Sequence, residues 1–521
     1  MFKKKPIYLS DWVEFKPSER GDATDAYYVG ICNKVCAALG TVCKSDDEEK
    51  DIYYFLEDEE DKELACFLTA YFADVIARLG VWRVFTGLHL QRYGKCLPFY
   101  AIDEKYMPEE INQADVRFLI WYFVSLKSTD FQIFIDPFEE LWGELAEKIM
   151  AIFEDEYETA PESVVMQQDL ALEPTSDYYV ARKFMQQISR GTYLFKLDIG
   201  RRFEQEIGKL IDEDPQAAYR GFPEASDYLL HTSKSRLLHV PAKVLAATLL
   251  GTDHPNYKDF MEMSDRLWGH FELVGLVGDQ HKFSHLASGQ LFAVSGLGQQ
   301  QYDKVKPGDI ARMGMVKWQG QWTFSGMLIS QKYRHEAKIA EMKNNVNEKR
   351  TYDRIFNKEE LASTLELHKE SFLKHNNGRI LKFLDYGGMQ PFMAGYVNNF
   401  NAERAGGKGE PASKPIEVDD DAENYLVFFN EHGGIEVFYN LAGAFPLADN
   451  PFYKKENEHD DFEDLLMQED IPGELTLCCW KLCKHNLVFY QKHPFTDDEF
   501  EFLAAFFKPD NFISQPNIIS T

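Results

Sequence analysis

The hydrophobic period of this chain changes near residue 283, and that change rules out any single regular architecture. Upstream, in "DKELACFLTAYFADVIARLG", the residues Leu64, Phe67, Leu68, Tyr71, Phe72, Val75, Ile76 and Leu79 alternate steps of three and one. That spacing draws one apolar stripe down a helix, with Gly80 placed to end it. Residues 24–39 repeat the pattern more loosely, and Asn112 begins a helix running through Asp115 into the apolar run 118–124. Ser10 and Thr24 are suited to cap the earlier helices. Downstream, "IARMGMVKW" and "QWTFSGMLIS" alternate by twos, and "KVKPGD" and "WQGQW" read as turns. The expected fold class is α+β. A mainly helical N-terminal half precedes a small antiparallel β meander or barrel of four or five strands, followed by an αβ C-terminal domain.

Composition shifts place the boundaries. Residues 1–153 form an N-terminal helical domain, and the acidic, proline-bearing residues 154–177 a connector. Residues 178–282 are a second helical block, broken at Gly191, Gly200 and Pro215 and by "LGTDHPNY". The β module spans 283–332, and a charged helical segment with the strand "GRILKFLD" spans 333–400. Residues 401–424 combine Gly, Pro, Ser and charge without periodicity and read as a flexible linker. The domain 425–521 opens on the hairpin "YLVFFNEHGGIEVF", with Gly433 and Gly434 in its turn, and continues in helices near 473–489 and 496–507. The acidic stretch 44–63 reads as a solvated loop.

Charge narrows the function classes. The 521 residues carry 56 Lys and Arg against 85 Asp and Glu, a formal net charge of −29, yet 40 Phe and 26 Tyr mark a folded chain. Such a surface disfavours generic nucleic-acid or anionic-membrane binding and favours a protein partner with a basic face. After "MFKKKPIYLSDW" no signal-peptide core develops, and "FLIWYFV" is far short of the roughly 18 apolar residues of a span. A cytoplasmic location is expected.

Motifs for chemistry are scarce. No phosphate loop, dinucleotide fingerprint or nucleophile elbow occurs. His335–Glu336 opens a zinc-protease pattern that Ile339 breaks, and the calcium-loop-like Asp419, Asp421 and Glu423 meet Asn424 and Asn430 where Gly and Glu are needed. "LTLCCWKLCKH" holds Cys478, Cys479, Cys483 and His485 without a C-x-x-C knuckle, and Cys32 and Cys36 form a second i, i+4 pair. These read as buried helix thiols. No metal site and no cofactor are expected.

Two groups remain. "WRVFTGLHLQRYGKCLPFY" gathers Trp82, Arg83, His89, Arg92, Tyr93 and Lys95. His89, Arg92 and Tyr93 are the candidate catalytic residues for an enzyme acting on an anionic substrate, with Trp82, Arg83 and Lys95 as binding residues. The bland alternative is a helix end whose cations answer its dipole and neighbouring acids. In the β module, Trp318, Trp322 and Phe324 are candidates for a peptide- or RNA-stacking face, if Lys304, Lys306, Arg312 and Lys317 join them.

The segments "IYLSDWVEFKP", "TDAYYVGICNKV", "ACFLTAYFADVIARLGVW", "YGKCLPFY" and "FLIWYFV" resemble an uncharacterised bacterial family, domain of unknown function 3843. So do "YLVFFNEHGGIEVFYNLAGAFPLADNPFY" and "FLAAFFKPDNF". The resemblance spans most of residues 7–126 and 424–513. It implies a cytoplasmic accessory protein and brings no activity. The leading expectation is therefore a non-enzymatic interaction protein. An enzyme at the His89 patch, or RNA or peptide binding by the β module, are the alternatives.

Overall fold

The computed structural model describes residues 6–18, 20–42, 52, 55–57, 59–129, 132–277, 280–295, 306–331, 336–404 and 422–518. Most of the acidic stretch 44–63 and of the 401–424 linker lies outside them, as do His335, Lys304, Asp419 and Asp421. The chain divides into two compact units. The first holds residues 1–263, 317–320 and 496–509, and the second holds 264–316, 321–495 and 510–521.

In the first unit α1 (Leu9–Val13), α2 (Asp25–Val42), α3 (Glu60–Ala77), α4 (Val81–Tyr93), α5 (Gln113–Ser128) and α6 (Glu140–Tyr157) build an aromatic core. The apolar stripe expected on α3 understates its burial, for Leu64 to Val75 are buried without a break. The helix stops earlier than Gly80. Arg78 adopts φ 54 and its amide donates back to the last turn, while Gly80, at φ 84, opens α4 instead. Asn112 does precede α5, whose run 118–124 is wholly buried.

Then follow α7 (Val164–Asp169), α8 (Tyr178–Gly191) and α9 (Tyr193–Phe195). A π turn, Lys196–Gly200, leads on to α10 (Arg201–Glu213), α11 (Pro215–Thr232), α12 (Ala242–Leu250) and α13 (Tyr257–Glu262). The helix Asp497–Phe507 also belongs here. It is capped by Thr496 and Glu499 reciprocally, and its Phe506 ring lies 5.4 Å from Trp121. No single helix among the described residues is long and apolar enough to cross a membrane; α3 with α4 passes such a test only as a pair bent by 87°.

The second unit opens with a closed barrel in the order β1-β2-β3-β5-β4. Its strands are β1 (Leu267–Val277), β2 (Gln280–His285), β3 (Leu291–Ser295), β4 (Ile310–Trp318) and β5 (Gln321–Gln331). Two expectations are corrected. The module starts at Leu267 and not at 283, since Phe271 and Leu273 already alternate into the barrel core, although Gly269 and Gly275 blur the pattern. Nor is the sheet purely antiparallel, because Val294 and Ser295 pair in parallel with Trp322 and Thr323. The β4–β5 turn has Gln319 at φ 47 and Gly320 at φ 79, the left-handed pair that a two-residue hairpin needs.

Next come α14 (Glu336–Lys343), α15 (Val346–Phe356), α16 (Lys358–His375), β6 (Leu381–Leu384), α17 (Tyr386–Arg404), β7 (Tyr425–Asn430) and β8 (Gly434–Tyr439). The antiparallel sheet β6-β7-β8 buries Tyr425, Val427 and Phe429 with Phe372 and Met389. The expected helix 473–489 is interrupted: α18 (Glu458–Met467) and α19 (Gly473–Cys483) are followed by a 3-10 turn and the short α20 (Val488–Lys492).

Candidate functional site

The His89 patch forms where α4 ends. His89 is 1 % exposed, and burial pushes its imidazole down to about 4, so the ring is neutral at physiological pH. Its Nδ1 lies 2.6 Å from the Lys95 carbonyl, and its ring packs 4.8 Å from Tyr93. Arg92 donates through Nη2 and Nε to Glu501 Oε1 at 2.7 and 3.2 Å, and through Nη1 to the Leu238 carbonyl. Tyr93 donates to the same Glu501 oxygen at 3.1 Å, and Lys95 pairs with Glu499 at 3.2 Å. The cations and the tyrosine are thus engaged with the acidic first turns of the helix Asp497–Phe507. This is the pairing at a helix end that the bland alternative describes.

Trp82 has a separate role. Its indole donates to Asp115 Oδ2 at 2.9 Å, beside donors from Tyr71 (2.9 Å) and Asn112 (3.2 Å), while Tyr106 donates to Oδ1. Burial pushes the Asp115 carboxyl up to about 7, and these four donors limit the rise. Asp74 accepts from the amides of Gly80, Val81 and Trp82 and from the Tyr193 hydroxyl, capping α4. Burial lifts it to about 6. Trp82, Asp74, Arg78 and Arg83 line a cavity of about 540 Å³ with Glu109 and Glu162. Arg83 is exposed and stands apart from the His89 group, which does not reach this cavity.

The proposed aromatic face of the β module is not a face. Trp318, in the first unit, is 4 % exposed, donates to the Ser176 carbonyl and packs on Phe260 at 5.2 Å. Within the second unit Phe324 is a core residue of the barrel, and Trp322 packs on Phe292 and Phe356. Of the basic residues, Arg312 stacks over Trp268 at 4.9 Å, Lys306 and Lys317 are exposed, and Lys304 lies outside the described residues.

The thiols also separate. Cys479 is buried with its sulfur 3.2 Å from the Ala444 carbonyl; a hydrogen bond from Cys479 lowers Cys483, and burial pushes Cys478 up to about 12. The Cys66 thiol donates a hydrogen bond to the Cys32 sulfur, both thiols being free, and Cys36 turns towards Asp61. Among the described residues no three His, Cys, Asp or Glu side chains are grouped to hold a metal ion.

The feature that sequence reading passed over is the hairpin of α10 and α11. Phe203, Ile207, Leu210 and Ile211 stand at i, i+4, i+7 and i+8, one stripe of a helix, yet no residue of α10 is buried. Ile211 is 48 %, Phe222 44 % and Tyr228 52 % exposed. Around them Glu204, Glu206, Asp212, Glu213 and Asp214 are exposed, with Lys209 the one exposed base of α10. The stripe was visible in the sequence; that no described residue buries it fully, although Arg190 and Phe222 pack on Phe203, was not.

Residues 6–254 match the model of a family described as protein of unknown function (DUF3843). The matched segment extends beyond the 7–126 of the sequence resemblance, while the resemblance at 424–513 lies outside it. Comparison with curated proteins gives no match, and comparison with solved structures gives none either.

Proposed function

On the match of residues 6–254 to the family described as protein of unknown function (DUF3843), we propose that this chain is a non-enzymatic interaction protein whose α10–α11 hairpin docks a partner helix. The carrying observation is the incompletely covered stripe of α10, of which no residue is buried and Ile211 is exposed. Helices of this length owe most of their stability to a covered apolar face, and here no residue of that face is buried. The acidic rim selects the partner's chemistry: an amphipathic helix with a leucine- or phenylalanine-bearing face flanked by Lys and Arg. The engagement of Arg92, Tyr93 and Lys95 with Glu499 and Glu501 supports this reading over catalysis at the His89 patch.

The test uses an 18-residue Leu/Lys amphipathic peptide as probe, titrated onto the full chain. Reversing Glu204 and Asp212 to Lys should weaken binding roughly thirtyfold, since each lost charge contact at a docked helix is worth on the order of 1 kcal/mol. Reversing Glu144 and Glu147, exposed on α6 of the same unit, should leave it unchanged. Equal weakening by both pairs would show mere attraction to an acidic protein and refute the hairpin.

A further inference from the structure

One face of α8 lines a second cavity of the first unit, about 630 Å³ in volume. Val180, Lys183, Phe184, Gln187 and Arg190 stand at i, i+3, i+4, i+7 and i+10, so a single helical face carries them all. The charge there inverts that of the protein. Arg20, Lys183 and Arg190 line the cavity against one acid, Asp169, and Arg20 Nε already donates to Asp169 at 3.1 Å. Among the described residues lining the cavity, two cations are left without a counter-charge in a chain of net charge −29.

Arg190 is the sharper case. Its guanidinium is fixed by hydrogen bonds to the Ser226 hydroxyl (3.1 Å) and carbonyl (3.0 Å) and lies 3.7 Å from the Phe203 ring centroid. Among the described residues its buried Nε has no hydrogen-bond partner, and the guanidinium forms no ion pair. Burial, with Arg182 nearby, pushes it down to about 10, the direction expected of an uncompensated cation. A buried charge without a partner is costly, and a bound anion would offset that cost. Lys183 is exposed and makes no hydrogen bond or ion pair among the described residues.

We propose that this cavity binds a small organic phosphate, its phosphoryl group held between Lys183 and Arg190 and its apolar part against Leu172 and Phe184. A dianion matches two unpaired cations, which a carboxylate would only half neutralise. Seven residues apart, the two Cα atoms are about 10 Å apart along the helix axis, within the joint reach of a lysine and an arginine on one phosphoryl group. The volume suits an organic ligand and far exceeds a bare anion.

The experiment is calorimetric titration of the full chain with phenyl phosphate, phenylacetate and inorganic phosphate at constant ionic strength. Phenyl phosphate should bind saturably at one site, roughly tenfold or more tighter than either of the others. Lys183→Glu should weaken it at least about tenfold, while Lys148→Glu, the same charge change on exposed α6 surface, should leave it within about twofold. Lys183 supports nothing in the fold, so its loss is read on binding alone. Absence of saturation up to about 10 mM, equal effects of the two variants, or phenylacetate binding as tightly would each overturn the assignment.

Discussion

Asp115→Asn should make the first unit less sensitive to pH while leaving its packing intact. The side chain is fully buried, and its two oxygens receive four donors, from Tyr71, Trp82, Asn112 and Tyr106. An asparagine of the same shape keeps an oxygen for the three donors on one side and donates its amide to the Tyr106 hydroxyl oxygen on the other, so only the Tyr106 hydroxyl hydrogen, on a half-buried side chain, must find another acceptor. What it removes is the ionisation. The carboxyl stands at about 7 in the folded chain against an ordinary 3.8, so between those values the native state binds more protons than the unfolded one. Stability contributed by the protonated acid is therefore present at low pH and lost as pH rises towards 7. At 1.36 kcal/mol per pKa unit, the wild-type chain loses about 3 kcal/mol from this group between pH 5 and pH 8. The variant does not. The assay is urea unfolding followed by hydrogen exchange in peptides of α3, α4 and α5, at both pH values, for both proteins. Every other titration cancels in the difference. A wild-type-to-variant gap that stays constant within about 0.5 kcal/mol across that range would refute the account of Asp115 as a carboxyl held neutral by burial.

His285 should act in the opposite sense. Burial pushes its imidazole down to about 4, so the unfolded chain binds the extra proton and the barrel should lose up to about 3 kcal/mol as pH falls from 6.5 to 4, measured by exchange in β1 and β2 and abolished in His285→Phe. Gly269→Ala would place its Cβ 2.7 Å from His285 Nε2 and 2.8 Å from Glu348 Oε2, and should destabilise the barrel by about 1–3 kcal/mol in urea denaturation. Phe502→Ala should cost about 3–5 kcal/mol, whereas Arg92→Ala, whose ion pair with Glu501 is about one-third exposed, should cost under about 1 kcal/mol by the same measurement.

The sequence disclosed elements better than their company. The stripe of α3, the start of α5 at Asn112, the β4–β5 turn and the β7–β8 hairpin all follow from local spacing, because period and turn chemistry act over a few residues. Closure of the barrel through the parallel β3–β5 pair does not, since it joins strands with no shared local signal. The His89 patch shows the same limit. Arg92 and Tyr93 were visible as a cluster, but their partner Glu501 lies about four hundred residues away, and only the fold shows that the cluster is already satisfied. Likewise Arg190 is one arginine among many until Ser226 and Phe203 fix it without a counter-charge.

The most direct test of the docking claim is site-specific photo-crosslinking in the cell of origin, with the reactive residue placed at Ile211, at Phe222 and, as control, at Glu144. The account predicts that positions 211 and 222 capture the same partner peptide, one with helical apolar spacing and flanking Lys and Arg, and that position 144 does not. No shared product at 211 and 222, or a peptide without that basic apolar pattern, would contradict it.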